Sequence, residues 1–139
     1  MGAKEWAERT KANIEAIHKR SIEMLAEEMS RTKPQGGRVP FDKGNLARSL
    51  LASTQAMPKT SETISSGSNV GAVVAMMRVD QPVWLGYQAG YARRMNNGFV
   101  GADSKGRVYN QAGNHFVEGA IAQWPQIVQN AVNEIQGNA

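Results

Sequence analysis

The chain is predicted to be an α+β protein, in which a small antiparallel β-meander of three to four strands is packed by a long N-terminal helix and a long C-terminal helix, with short helices between. Apolar side chains recur at helical spacing over Ala3–Met29 and again over His115–Gln136. Short apolar segments between those helices lie too close together for helical crossovers, so their strands are expected to be antiparallel. Residues 1–139 are expected to form a single domain with both long helices on one face of the sheet.

The first long helix is predicted from a broad apolar arc that faces away from a charged side. Pro34 disfavours helical geometry in the residue before it, so the helix should end by Lys33. His18 lies at the edge of the arc with no second ligand near it in the sequence, and it is expected to be a half-buried helix residue. The arc consists of Trp6, Ala7, Ile14, Ile17, Met24, Leu25 and Met29.

A short helix is expected after the loop that begins at Pro40. Asp42 or Asn45 is the candidate N-cap, because both side chains can accept a hydrogen bond from the first turn. Leu46 and Leu50 should then anchor this helix to the core.

The middle of the chain is interpreted as a series of short strands. Val70–Val79 is the most apolar of them and is expected to be the central strand. The other strands are expected near Leu51–Met57, near Glu62–Ser66 and over Val83–Tyr87.

The last third of the chain begins with a strand that runs through glycine into a short helix over Val83–Gly98. Gly98–Gly113 is rich in glycine and poor in large apolar residues. It is predicted to be a loop that is mobile in an isolated subunit and ordered at an interface or a channel. Asn114 is the expected cap of the final helix, in which Pro125 should either produce a kink or mark the first turn of a new segment.

Composition excludes several classes of site. The chain has no cysteine, which rules out disulfides and thiolate metal sites. No apolar run approaches the roughly 20 residues of a membrane-spanning helix, so no membrane partner is expected. The net charge of +4, from 16 basic and 12 acidic residues, is compatible with nucleic acid without requiring it.

No pattern in the sequence supports catalysis, and no enzyme activity, metal or cofactor is predicted. Gly101–Val108 superficially resembles a phosphate-binding loop, but Arg107 and Val108 stand where Lys and then Ser or Thr are needed. His115 and Glu118 are three residues apart on one helix and lack the further ligands that a metal site requires. A small hydrolase would need a pocket that gathers His115, Glu118 and an acid such as Asp80.

Two basic segments have alternative interpretations. Residues 31–48 contain five basic residues opposed only by Asp42, which is typical either of a solvated loop or of a surface that faces DNA or an acidic partner. Arg93 and Arg94 follow Tyr91, and this group either contacts nucleic acid or has an inward Tyr91 with arginines in intersubunit salt bridges or in solvent.

Three short motifs, in this order, resemble the tail-completion (neck) proteins of long-tailed bacteriophages. Gly44–Leu50 is similar to the Gly-Asn-Leu-x-x-Ser-hydrophobic element of that family, and Tyr91–Gly98 to its Tyr-Ala-x-x-x-x-x-Gly segment. Phe116–Ala120 matches its Phe-x-x-x-Ala helix. The three together span roughly residues 40–136. The chain departs from the family at Asn96–Phe99, where Glu-x-Gly-Thr is common, and at Ala112–Asn114, where prolines usually precede the last helix.

The resemblance implies a structural virion protein without catalytic activity. Such a subunit forms a ring, typically a hexamer, that terminates the tail tube and joins it to the head connector. Its implied partners are other copies of itself, connector or stopper proteins, tail-tube proteins, and genomic DNA that passes through the channel without sequence-specific binding. The implied location is the virion neck, and the host cytoplasm during assembly. The alternative from the residues themselves is a DNA-binding accessory protein that uses the basic region 31–48.

The candidate site residues are the basic side chains expected to lie at a subunit interface or to face the channel. They are Arg38, Lys43, Arg48, Arg93, Arg94, Lys105 and Arg107.

Overall fold

The computed structural model describes residues 2–41, 44–61, 67–102 and 104–137, and these parts form an α+β fold as predicted. The long N-terminal and C-terminal helices pack together, and the strands are short and antiparallel. The elements are α1 (Ala3–Ser30), a 3₁₀ helix (Lys33–Gln35), α2 (Asn45–Arg48), β1 (Leu50–Ser53), α3 (Val70–Met76), β2 (Trp84–Tyr87), α4 (Ala92–Asn97), β3 (Gly98–Ala102), β4 (Val108–Ala112), α5 (Phe116–Ala122) and α6 (Trp124–Gly137).

Helix α1 confirms the first predicted element. Arg31 turns the chain into extended geometry directly after it, and Pro34 lies within the 3₁₀ helix. Thr32 caps that 3₁₀ helix together with Gln35, whose side-chain oxygen accepts hydrogen bonds from the Thr32 amide and hydroxyl at 3.1 Å each. His18 is half-buried, as expected.

Polar contacts at two places along α1 fix the antiparallel packing of α6. The side-chain amide nitrogen of Gln123, just before α6, donates to Glu28 Oε1 at 3.0 Å. Farther along, Arg20 Nε donates to Glu134 at 3.2 Å. Because α6 has only 14 residues and α1 has 28, the first turns of α1 extend beyond α6, and Trp6 is 62% exposed there.

The strands form two separate ladders where one meander was predicted. Strand β1 pairs with β2, from Leu50 opposite Tyr87 to Ser53 opposite Trp84. Strand β3 pairs with β4 in a second ladder that no strand of the described residues joins to the first. Each sheet is therefore only two strands wide and depends on helices to cover it.

The predicted central strand over Val70–Val79 is wrong, because this segment begins with helix α3. Its buried side chains, Val70, Val74 and Met77, are four and three residues apart, which is helical spacing. The side-chain amide of Asn69, at the start of α3, bonds to both the N–H and the C=O of Ala52 in β1, at 2.7 and 3.0 Å. The weaker strand expected near residues 62–66 lies outside the described residues.

The predicted loop over Gly98–Gly113 is also wrong, because it is the β3–β4 hairpin. Gly98 has a φ of +86°, and a Cβ there would lie 2.6 Å from the carbonyl oxygen of Gln111. Only glycine can therefore turn the chain from α4 directly into β3.

The predicted final helix is divided at Gln123 into α5 and α6. Pro125 lies in the first turn of α6, where its missing N–H costs no helical hydrogen bond, so it marks a new segment. The expected caps Asn114 and Asn45 are wrong. His115, with a φ of 50°, occupies the N-cap of α5, and Gly44 occupies that of α2. Asp42, the other cap candidate, lies outside the described residues.

Two apolar cores lie side by side, and Tyr87 belongs to the packing of both. The Tyr87 ring meets the edge of Phe116 with the ring centroids 5.2 Å apart, and its hydroxyl donates to the carbonyl of Met29 at 2.7 Å. The larger core contains Ile22, Ala26, Met29, Leu50, Ala52, Val70, Val74, Met77 and Ala120. The smaller core contains Val39, Leu46, Ala89, Ala92 and Phe116.

Asn96 joins the end of α4 to the start of α5. Its side-chain oxygen accepts from the amide of Val117 at 2.9 Å, which satisfies a donor of the first turn of α5 that lacks a helical partner. Its side-chain nitrogen donates to Asn97 Oδ1 and to Glu118 Oε1, both at 2.8 Å. Asn96 is only 7% exposed, so these bonds are largely shielded from water.

We predict that Tyr87 makes stability fall at alkaline pH. Burial raises the pKa of its phenol above its usual value, so the folded chain keeps the proton where the unfolded chain, with a pKa of about 10, loses it. The free energy of unfolding should decrease above about pH 10 by roughly 1.4 kcal/mol per pH unit from this residue.

Urea unfolding between neutral and alkaline pH measures this dependence. Tyr87→Phe should cost about 1 kcal/mol at neutral pH, because the carbonyl of Met29 loses its donor, and should flatten the alkaline decrease. Tyr91→Phe, at an exposed position, is the matched control. An alkaline decrease of equal steepness in Tyr87→Phe would contradict the prediction.

We also predict that Asn96→Ala destabilises the fold by about 1–3 kcal/mol, because it leaves the Val117 amide without its acceptor in a shielded position. Asn96→Asp should be worse at neutral pH, since its carboxylate would face that of Glu118, and should improve on acidification. Asn110→Ala, exposed in β4, is the control and should change the free energy of unfolding by less than about 0.5 kcal/mol. Equal urea midpoints for the Asn96 and Asn110 variants would exclude this role.

Candidate functional site

The smaller core brings together the two sequence segments that contain all the predicted site residues. Val39 and Leu46 come from the first segment, Ala89 and Ala92 from the second, and all four are buried with Phe116. We call the two segments that meet at this core, residues 31–48 and 89–112, the small-core lobe; within them, residues 42, 43 and 103 lie outside the described parts of the chain.

The small-core lobe concentrates the positive charge of the protein. Its two segments contain nine basic and two acidic residues, whereas the whole chain has 16 and 12. Residues 2–30 contain five basic and six acidic residues, and residues 113–139 contain two acidic residues with no Lys or Arg. The lobe is therefore net +7, and the rest of the chain is net −3.

One cation of the first segment is neutralised within the fold. Arg31 Nη2 lies 2.9 Å from Glu28 Oε1, and this hydrogen bond is the main cause of the lowered pKa of Glu28. The carboxylate also accepts from Gln123, so it is held by two donors. Arg31 thus contributes less to the surface charge than its neighbours do.

Two further arginines of the first segment, Arg38 and Arg48, form no ion pair with a carboxylate of the described residues. Arg38 is exposed, and its guanidinium lies so close to Gly119 that a Cβ there would be 2.7 Å from Nε. Arg48 is exposed and donates to the neutral side-chain oxygen of Asn45 at 2.6 Å. Lys43 lies outside the described residues.

An open groove of about 650 Å³ runs between the end of α1 and α2. Arg31 and Arg48 are among its lining residues, and Phe41 lies there 55% exposed. Glu27 also lines the groove, but its ion pair is with Arg20. The groove gives residues 31–48 a concave, partly apolar surface.

The two arginines of α4 have different surroundings. Arg93 is exposed and makes no ion pair with any residue that the structure describes. Arg94 lies over the ring of Phe99, 4.0 Å from its centroid, in a cation–π contact. The expectation that Tyr91 packs inward is wrong, since it is 45% exposed. Tyr91 precedes the first residue of α4, and the inward positions of that helix go to Ala92 and Asn96.

The hairpin places Lys105 and Arg107 on the exposed turn between β3 and β4. Neighbouring side chains alternate between the two faces of the ladder. Phe99 and Tyr109 share one face, with ring centroids 6.0 Å apart, and this face also carries the stacked Arg94.

The opposite face of the hairpin, which we call the outer face, is apolar and open to solvent. Val100 is 78% exposed and Val108 is 81% exposed, and Ala102 and Ala112 beside them are also exposed. Asn110 is the polar residue of this face. An isolated two-stranded hairpin is marginally stable in water, so an uncovered apolar face on it indicates a contact surface.

The residues considered for catalysis form only one pair. His115 Nδ1 lies 3.3 Å from Glu118 Oε2, and the pKa of Glu118 is lowered first by the Asn96 amide and further by His115. Asp80 instead pairs with Arg78 at 3.2 Å. Over the described ranges, no three His, Asp or Glu side chains are grouped as a metal ion would require. None of the helices in those ranges combines the length and hydropathy needed to cross a membrane.

Phe99, Val100 and Val108 are not among the site residues that the sequence predicts, because their segment is predicted to be a loop. Alternation in the sequence is weak there, since glycine and alanine fill three of the five positions of β3, and β4 has only two large apolar residues, Val108 and Tyr109. Gly98 followed by two large apolar residues was the available signal for a strand.

Comparisons with protein-family models, with curated proteins and with solved structures find no match for this chain. Its function must therefore be inferred from its own residues and from the surfaces described above. Those surfaces are the basic small-core lobe and the apolar outer face of the hairpin.

Proposed function

We propose that this protein is a ring-forming structural subunit of the neck of a long-tailed bacteriophage. It terminates the tail tube and joins it to the head connector, and it contacts copies of itself, connector or stopper proteins and tail-tube proteins. Its role is mechanical, with no catalytic step.

The observation that carries the proposal is the meeting of the three family-like motifs in one core. Leu46 comes from the first motif, Ala92 from the second and Phe116 from the third, and all three side chains are buried in the smaller core. Residues far apart in the sequence thus pack in one core. If the three motifs have a common structural role, their side chains are expected to contact one another in this way.

The outer face of the hairpin supports assembly into a ring. Full burial of one valine side chain is worth about 1.5–3 kcal/mol, so covering Val100 and Val108 would favour association. Among the described residues, the other two-stranded sheet, β1–β2, is packed within the larger core and does not cover this face. A contact between this face and a different surface of the next copy is head-to-tail, and such contacts close into rings when the rotation permits.

A second candidate function, a DNA-binding accessory protein that uses residues 31–48, is favoured by the exposed Arg38 and Arg48. Neither side chain is paired with a carboxylate of the described residues. DNA binding that depends on these two arginines alone would support this function.

We predict that the purified protein forms rings, either alone or when tail tubes are added, and that Val100→Asp/Val108→Asp prevents them. Two carboxylates on the outer face would have to be desolvated in the contact, which opposes association strongly. Negative-stain images and light scattering of the eluted species measure the outcome. Met76→Asp, which is at an 85% exposed position in α3, is the matched control and should leave the rings intact.

Unchanged rings in the double valine variant would exclude the outer face as the subunit contact.

The neck function has a separate test in a phage that encodes this chain. Deletion of the gene should leave filled heads together with unjoined or overlong tails, and normal virions would contradict the proposal.

A further inference from the structure

We propose that the first turns of α1 bind an amphipathic helix with acidic flanks that belongs to a different protein. The surface consists of residues 3–14, which we call the α1 overhang. This inference deepens the proposed function by naming the chemistry of a partner. It rests on that function for the place of the partner in the neck, but not for the binding itself.

The α1 overhang is not covered by any described part of the chain. Its side chains are exposed except that of Thr10, which is half-buried, and the two large apolar ones, Trp6 and Ile14, are 62% and 54% exposed. An isolated helix of this length is marginal in water, and Gly2 supplies no side-chain cap to it. A helix that stays formed here with two large apolar side chains in solvent indicates a contact surface.

The apolar stripe of the overhang continues the face of α1 on which α6 packs. Trp6, Ile17 and Glu28 follow one another at intervals of 11 residues, about three turns, so they lie on one side of α1. Glu28 faces α6, because it accepts a hydrogen bond from the side chain of Gln123. Helix α6 runs antiparallel and has 14 residues against the 28 of α1, so the stripe extends past its end. A second helix can lie there in line with α6.

The cations beside the stripe define the charge of this second helix. Arg20, on one flank of α1, pairs with Glu134 of α6 at 3.2 Å. Arg9 lies 11 residues earlier on the same flank, and within the described ranges it has no ion pair. Lys11 is two residues further, about 200° around the helix, and borders the other flank of the stripe. A helix with carboxylates on both flanks is therefore complementary to the overhang.

A second copy of this chain does not match that chemistry. Glu5 and Glu8 lie on the side of α1 away from the stripe, so two overhangs packed face to face would oppose cations to cations. Helix α6 is already packed on its own α1. An anionic membrane is also a poor match, because residues 3–14 contain three basic and two acidic residues, a small positive excess.

Fluorescence anisotropy with two labelled synthetic peptides tests the proposal. Each peptide has about 21 residues, with leucine at heptad positions a and d and either glutamate or lysine at e and g. The wild type should bind the glutamate peptide at least about tenfold more tightly than the lysine peptide. Trp6→Ala/Ile14→Ala should weaken binding of the glutamate peptide at least about tenfold, because burial of one large apolar side chain contributes more than a tenfold change in Kd.

Charge reversal separates recognition from damage to the helix. Arg9→Glu/Lys11→Glu should invert the preference, so that the lysine peptide binds more tightly, which a loss of helical structure would not produce. Glu5→Gln/Glu8→Gln changes the other side of the overhang and is the matched control. It should leave both affinities within about twofold of the wild type.

The inference is overturned if the wild type binds neither peptide or both equally, or if Trp6→Ala/Ile14→Ala binds as the wild type does. Tighter binding to vesicles of anionic phospholipid than to the glutamate peptide would assign the overhang to a membrane instead. Loss of rings in the same variant without peptide would assign it to a second copy.

Images of the wild type with each peptide separate this inference from the proposed function. Rings that bind the glutamate peptide support both proposals. A protein that forms rings and binds neither peptide rejects only this inference. A protein that binds the glutamate peptide and never forms rings, alone or with tail tubes, leaves this inference standing and rejects the ring-forming neck subunit.

Discussion

Tyr87, at the end of β2, makes the contact that joins the two apolar cores. Its ring packs against the edge of Phe116, and its hydroxyl bonds to the carbonyl of Met29 near the end of α1. One side chain thus links the two-stranded β1–β2 sheet, α1 and α5. Tyr87 and Val117 both pack against the larger core and the smaller core, and Tyr87 also bonds to α1, so the orientation of the small-core lobe on α1 depends on it.

A polar constraint completes what this aromatic contact begins. Asn96 supplies the acceptor that the first turn of α5 lacks, and the backbone bonds of Asn114 and His115 to Met95 and Asn96 close the junction at 2.9 Å each. The hairpin leaves the body at this junction, between Gly98 and Ala112. The buried hydrogen bonds at this junction therefore determine the direction of the hairpin, because they form well in only one geometry. The two strands alone, being marginally stable, could not do so.

Two surfaces with different chemistry result from this arrangement. The outer face of the hairpin is apolar and uncharged, which suits a contact that excludes water. In the small-core lobe, by contrast, Arg38, Arg48 and Arg93 are exposed and positively charged.

The sequence by itself determined the elements whose signals are local. Helix α1 has its apolar arc, α4 ends just before Gly98, and β2 lies where it is expected. For Pro125 the sequence left open a kink or a new segment, and the structure shows a new helix. Tertiary structure decided the rest. Val70–Met76 is a helix although it is rich in valine, because the side chains that it buries are three or four residues apart. The glycine-rich segment forms two strands, because these strands pair with each other.

The motifs and the basic residues can be recognised in the sequence, but their proximity in the fold cannot. Only the packing of Val39, Leu46, Ala92 and Phe116 brings segments distant in the chain together, because no local pattern encodes which buried side chains meet.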